Sequence, residues 1–216
     1  MYADKIKKLL TPSETKLFAR LDSPIKIQNF LDTLSVNFEL ESETYMSPRR
    51  VLALKSAHCL EGAVLAAAML AFHGNKPLLM DFQTAYDDED HVIALFKKNA
   101  LWGALSKTNH SQLRYRDAVY NSPRELAMSY FHEYFLFRNG KKTLRAYSAP
   151  FDLSRYDPAR WITVDEDLQW LVDDLDSSRH LPIAPLASLR ALRPMTAFEI
   201  KVAREAEWID PRKRNL

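Results

Sequence analysis

One cysteine occurs in the 216 residues, Cys59, and the residues around it read Ser56-Ala57-His58-Cys59-Leu60-Glu61-Gly62-Ala63. The Ala-rich run that follows predicts a helix, which sets the thiol in its first turn. There the positive end of the helix dipole and a neighbouring imidazole both favour thiolate over thiol. An activated thiolate can attack a carbonyl carbon and form a thioester, provided that a base manages its proton and a third group orients the base. Six histidines are candidates for that base: His58, His73, His91, His110, His132 and His180. His91 is the best placed. It opens a predicted strand directly after a helix-then-strand unit, where a side chain can reach back to a helix start. His58 reads as a helix-start residue facing solvent or substrate, with tuning of Cys59 as its alternative role. The plain alternative for Cys59 is core filling, since a free cysteine is among the most often buried residue types.

The elements that must bring these groups together are well punctuated. Thr11-Pro12-Ser13-Glu14 has the form of a capping box with proline at the first helical position, and Ser23-Pro24 opens a second helix with Ile27, Phe30, Leu31 and Leu34 on one face. Ser47-Pro48-Arg49-Arg50 starts a short third helix through Leu54. For the cysteine helix, Ser56 is the expected N-cap, Gly74 fits the position after the last turn, and Pro77 blocks continuation. A stripe of mostly small residues (Cys59, Gly62, Ala63, Ala66, Ala67, Leu70) lets another element approach closely, which makes this helix the expected packing centre. Residues 76–83 then read as a strand, followed by the acidic run Asp87-Asp88-Glu89-Asp90 and by two apolar runs, 91–96 and 101–105. Those runs predict a hairpin turning at Lys97-Lys98-Asn99-Ala100. Ser122-Pro123-Arg124-Glu125 leads a predicted long helix carrying Tyr130, Phe131, Tyr134 and Phe135 and ended by Asn139-Gly140. Further helices are expected near 164–176 and 197–208 from Thr163-Val164-Asp165-Glu166 and Thr196-Ala197-Phe198-Glu199.

Bulk properties set outer limits. With 47% hydrophobic and 27% charged residues, four glycines and eleven prolines, the chain is of ordinary globular composition and neither collagen-like nor low in complexity. A net charge of +2 gives no nucleic-acid or membrane footprint. The run Pro211-Arg212-Lys213-Arg214 reads as a solvated basic terminus, and nucleic-acid binding through it is a remote alternative. The longest nearly apolar stretch, 63–72, falls short of the roughly 18 residues of a membrane span. A lone cysteine forbids an intrachain disulfide, and the first residues lack the layout of a secretion signal, so a reducing, cytoplasmic compartment is expected. The acidic run lacks the glycine and terminal glutamate of a calcium loop; no metal and no cofactor are expected. Lys107, His110, Arg114 and Arg116, with Gln112 and Tyr115 among them, form a basic segment past the hairpin that either contacts an acidic substrate or is a solvated loop.

A helix that begins at cysteine and ends in glycine, then a strand, then a histidine opening a hairpin, resembles the transglutaminase-like superfamily of the papain-like cysteine fold. The residues that carry the resemblance are Lys55-Ser56-Ala57-His58-Cys59-Leu60-Glu61-Gly62-Ala63, Asp90-His91-Val92-Ile93-Ala94-Leu95-Phe96 and Trp102-Gly103-Ala104-Leu105-Ser106, within about residues 23–110. The resemblance implies Cys59 as nucleophile and His91, 32 residues on, as general base, acting through an acyl-enzyme thioester on an amide or peptide bond. Family members usually carry an aspartate about four residues past a tryptophan on the strand after the histidine strand; counted from Trp102, that position is Ser106. Three readings stay open at this point. Ser106 accepts one hydrogen bond from the ring; Asn109 orients the imidazole in its place; or catalysis has been lost.

The expected architecture is α+β of the transglutaminase-like kind, with helices packed on an antiparallel sheet. Residues 1–140 would form the core with its N-terminal helices, and 141–216 a helical extension packed on it. The expected function is that of a cysteine-dependent hydrolase or acyltransferase with a peptide or protein substrate. The alternative is a catalytically degenerate module of this fold that binds peptide or protein.

Overall fold

The computed structural model describes residues 1–40, 42–85 and 88–213. Helix α1 (Tyr2–Leu9) is followed by α2 (Pro12–Arg20), α3 (Pro24–Thr33), the two-residue strand β1 (Ser35–Val36) and α4 (Pro48–Leu54). The hydroxyls of Thr11, Ser23 and Ser47 each accept from a backbone amide of the first turn, with proline at the first helical position. This arrangement satisfies an orphan donor and presets φ, so each helix starts where the sequence expects.

Strand β2 (Ser56–Ala57) pairs in parallel with β1 and leads directly into α5 (Cys59–Phe72). The N-cap of α5 is therefore His58, and Ser56, expected in that role, is in extended backbone with its hydroxyl on the Ser35 carbonyl. Pairing with Ser35 holds Ser56 in the strand, and the imidazole supplies the acceptor instead. From Leu60 to Phe72 the helix is buried on every side. Helices α1 to α4 pack around it, and its remaining face lies on the sheet. Gly62 is required by close approach: a Cβ there would lie 2.5 Å from Cβ of Lys107.

The sheet is antiparallel and seven-stranded. It is built from β3 (Leu78–Thr84), β4 (His91–Lys98), β5 (Leu101–Leu105), β6 (Arg116–Tyr120), β7 (Leu144–Ser148), β8 (Phe151–Asp152) and β9 (His180–Pro182), in the order β6-β5-β4-β3-β7-β9 with β8 also on β3. The β4–β5 turn has both Asn99 and Ala100 at positive φ, as a tight two-residue hairpin needs. Alternation along β3 and β4 splits the core into two layers. Leu79, Val92 and Ala94 face the cluster around α5, which also takes Trp161 and Ile162 of α7 (Ala159–Ile162) and Leu171 and Leu175 of α8 (Gln169–Asp176). Met80, Phe82 and Ile93 face a second cluster with Leu126 of α6 (Pro123–Met128), Tyr130 and Tyr134.

The aromatic segment departs from expectation. The helix starting at Ser122 stops at Met128, tightens into a 3₁₀ turn over Phe131–Glu133 and becomes extended at Tyr134, and Phe135 bridges to Lys142. Asn139-Gly140 is thus the turn of a small hairpin and not a helix end. Tyr130 and Tyr134 both pack on Phe82 of the sheet's far face. Thr163 ends α7, and Asp167 is tied to Tyr45 and Arg50, so α8 begins only at Gln169. After α9 (Leu186–Arg190), α10 (Ala197–Ala203) opens with the expected Thr196 capping box but ends early, where Ala206 and Glu207 bind main chain at 109–110 and Trp208 binds the Asn109 side chain. Residues past 140 supply β7, β8 and β9, so they complete the sheet as well as adding helices. Among the described residues no helix is long and apolar enough to cross a membrane.

Candidate active site

Cys59 occupies the first position of α5, where backbone N–H groups lack intrahelical partners and point out of the helix end. Its neighbour His58 is held at two points: Nδ1 accepts from the Leu60 amide at 3.2 Å and Nε2 lies 2.7 Å from the Thr44 carbonyl. Beneath it Glu61 is fully buried. Its carboxylate accepts from the amides of Met46 and His58, the Thr44 hydroxyl and the Asn37 side chain, all at 2.9–3.2 Å. A carboxylate this fully bonded fixes Asn37, Thr44 and Met46 against the helix start and adds a negative charge that suits the helix N-terminus.

His91 begins β4 opposite Phe82 of β3 and is buried at 6% exposure. Its Nε2 lies 2.8 Å from the Ser106 hydroxyl, and that hydroxyl donates to the Leu113 carbonyl at 2.5 Å. With the serine proton committed to a carbonyl, Ser106 Oγ can only accept from the ring. Nε2 therefore carries the proton, and Nδ1 is left with its lone pair for the thiol. Both His91 and His58 interact with the Cys59 side chain. Burial pushes the Cys59 thiol up, but the His91 charge first, and then hydrogen bonding to His58 and His91, hold it well below the ordinary thiol range. For His58, burial opposes the charge. The hydrogen bond to Cys59, the sulfur's charge and Glu61 together outweigh it, and the ring is pushed up to about 9. Its bond from the Leu60 amide needs a neutral Nδ1, whereas donation to Thr44 holds in either state. Protonation of Nδ1 would therefore cost the cap bond.

Ser106 is itself clamped. Gln28 of α3 accepts from the Ser106 amide at 3.0 Å and donates to the Ser106 carbonyl at 2.8 Å and to Asp32 at 2.8 Å. The Leu113 amide is held by Glu133, which also pairs with Arg116 at 2.5 Å. Asn109, the alternative orienting residue, does not meet His91. Its amide oxygen accepts from the Trp208 amide at 2.7 Å and its NH₂ donates to the Trp208 carbonyl at 2.9 Å. Of the basic segment, Lys107 is buried and donates to the Leu34 carbonyl, and Arg114 pairs with Glu207. In the acidic run, Asp90 caps the Thr84 amide, while Asp87 lies outside the described residues, as does Arg214 of the basic tail.

Cys59, His58 and His91 line one open cleft of about 1140 Å³, together with Tyr134 and the segment around Trp208. The thiol is partly exposed to it. The Tyr134 hydroxyl is buried and has no hydrogen-bond partner among the described residues. Sequence reasoning named Tyr134 only within the aromatic run, read chiefly as core, and missed Gln28 and Glu61. Gln28 had a legible signal, a polar side chain flanked by Ile27 and Leu31 on a buried face, and Glu61 had another as the third residue of a capping box that starts at histidine. Compared with protein-family models and with curated proteins, the chain matches none.

Proposed function

We propose that this protein is a cysteine-dependent hydrolase or acyltransferase of amide or peptide bonds, built on a transglutaminase-like, papain-like fold. The observation that carries the reading is the committed proton of Ser106: it fixes the His91 tautomer with the basic nitrogen free for Cys59. In the forward half-reaction His91 takes the thiol proton, the sulfur bonds to the carbonyl carbon, the C–N bond breaks, and His91 passes that proton to the departing amine. Backbone N–H groups at the start of α5 stabilise the oxyanion. Water or an amine then attacks the thioester, giving its proton to His91 as the C–S bond breaks.

The test is chemical. Iodoacetamide should label Cys59 at pH 6 at least about tenfold faster than it labels free cysteine, because a thiol of ordinary pKa is scarcely ionised there. His91→Ala should bring the rate down towards that of the free amino acid. Incubation with an N-acyl amino acid nitrophenyl ester should leave an acyl mass on Cys59 that hydroxylamine removes. Labelling of the folded protein no faster than free cysteine overturns the reading.

A further inference from the structure

The cleft has a built-in peptide. Residues 206–208 run along its rim: Ala206 forms an isolated antiparallel bridge to His110, the chain bends at Glu207 and Trp208, and the Glu207 amide donates to the Asn109 carbonyl at 2.8 Å. Asn109 then closes a two-point bond on one residue, taking the Trp208 amide and giving to the Trp208 carbonyl. Both atoms belong to the main chain, so the clamp reads any residue that keeps its N–H and is indifferent to the indole, which is 36% exposed. One side chain is read as well, since Arg114 lies 3.0 Å from the Glu207 carboxylate while its Nε stays on the His110 carbonyl. On the opposite rim Arg212 reaches the Phe38 carbonyl at 3.3 Å. Residues 204–212 thus bracket the same cleft that holds Cys59 and His91.

We propose that the rim at Asn109 and Arg114 is a subsite for the main chain of an extended polypeptide with an acidic residue just before the clamped position, and that residues 206–208 fill it in cis. A polypeptide substrate has to displace them. This deepens the reading of Cys59 as a nucleophile, on which its catalytic consequence rests. The chemistry favours a polypeptide over a small acid because three of the four contacts at 207–208 are made through the segment's own main-chain amides and carbonyl. A tethered occupant has an effective concentration in roughly the millimolar range, enough to mask a modest subsite until a better ligand arrives.

The test uses a labelled peptide of residues 203–212 and its Trp208→Pro version, which lacks the clamped N–H. A chain ending at Ala203 should bind the first peptide at least about tenfold more tightly than the second, and tighter by a similar factor than the full chain does. Should that shortened chain not fold, the full chain carrying Glu207→Lys and Trp208→Pro releases the segment and should bind the peptide likewise. Equal binding of the two peptides, or binding to the intact chain as tight as to the released one, overturns the proposal. Iodoacetamide labelling run in parallel separates the two claims: slow labelling with proline-sensitive peptide binding removes the nucleophile and leaves the subsite standing.

Discussion

At the scale of residues, the serine at position 106 makes sense once its second partner is considered. A carboxylate there would accept from His91, but it would also face the Leu113 carbonyl, oxygen against oxygen, where the hydroxyl now donates. Ser106→Asp is therefore expected to lower Cys59 alkylation at pH 6 rather than raise it. Ser106→Ala should lower it by up to about tenfold, the equivalent of one net hydrogen bond, and Ser106→Thr, which keeps the hydroxyl, should retain most of it. An aspartate variant faster than wild type would show that charge, and not the tautomer, limits this site. The cysteine and its histidine were legible because each sits at the start of an element that local rules specify: a capped helix and a hairpin strand. For Gln28 only its place on a buried face was legible; its role was not, because that depends on Ser106, 78 residues away, whose amide and carbonyl it pairs. The same distance rule explains Asn109, whose residue type suggested an orienting amide but whose partner comes from residue 208.

At the scale of elements, the short edge strand β9 is held in register by a polar row across three strands. The Asp81 amide donates to the Ser148 hydroxyl, Ser148 pairs with His180, and His180 Nε2 lies 2.9 Å from the Asp81 carboxylate. His180 Nδ1 donates to the Ser178 carbonyl, which orients the ring. Burial raises Asp81 from its ordinary value to about 6, despite the opposing hydrogen bond from His180. The sign of the linkage follows: a folded-state value above the unfolded one favours folding below pH 3.8, and that advantage is lost as pH rises through about 6. Asp81→Asn removes the carboxylate's desolvation, and its amide can still hydrogen-bond to Nε2. The melting temperature of the variant relative to wild type should therefore be higher at pH 8 than at pH 4.5, and a gap that does not grow with pH would refute the assignment. None of this row was legible, since its members lie at residues 81, 148 and 180. Helix starts were legible at Pro12, Pro24, Pro48 and Pro123 because caps are local. The aromatic run at 130–135 misled because helical spacing also suits a chain that folds over a sheet in two short steps.

At the scale of the whole molecule, the sheet decides where the chain can be cut. Ending it at Gly140 looks harmless from the sequence, since the cysteine helix, the hairpin and both candidate site strands precede that point. Yet β3 would then lose β7 on one edge and β8 beside it, exposing a strand whose Met80 and Phe82 are fully buried. The cluster around α5 would lose Trp161, Ile162, Leu171 and Leu175, each nearly or fully buried. Burying one such side chain is worth roughly 1.5–3 kcal/mol, so these four alone rival the 5–15 kcal/mol net stability of a typical domain. In contrast, none of residues 204–212 is buried. A chain ending at Ala203 should therefore keep a cooperative thermal transition within a few degrees of the full chain by circular dichroism, whereas one ending at Gly140 should show none. A cooperative transition in residues 1–140 would mean that the sheet closes without its later strands, and that the pairing of β3 with β7 adds to a core already formed rather than completing it.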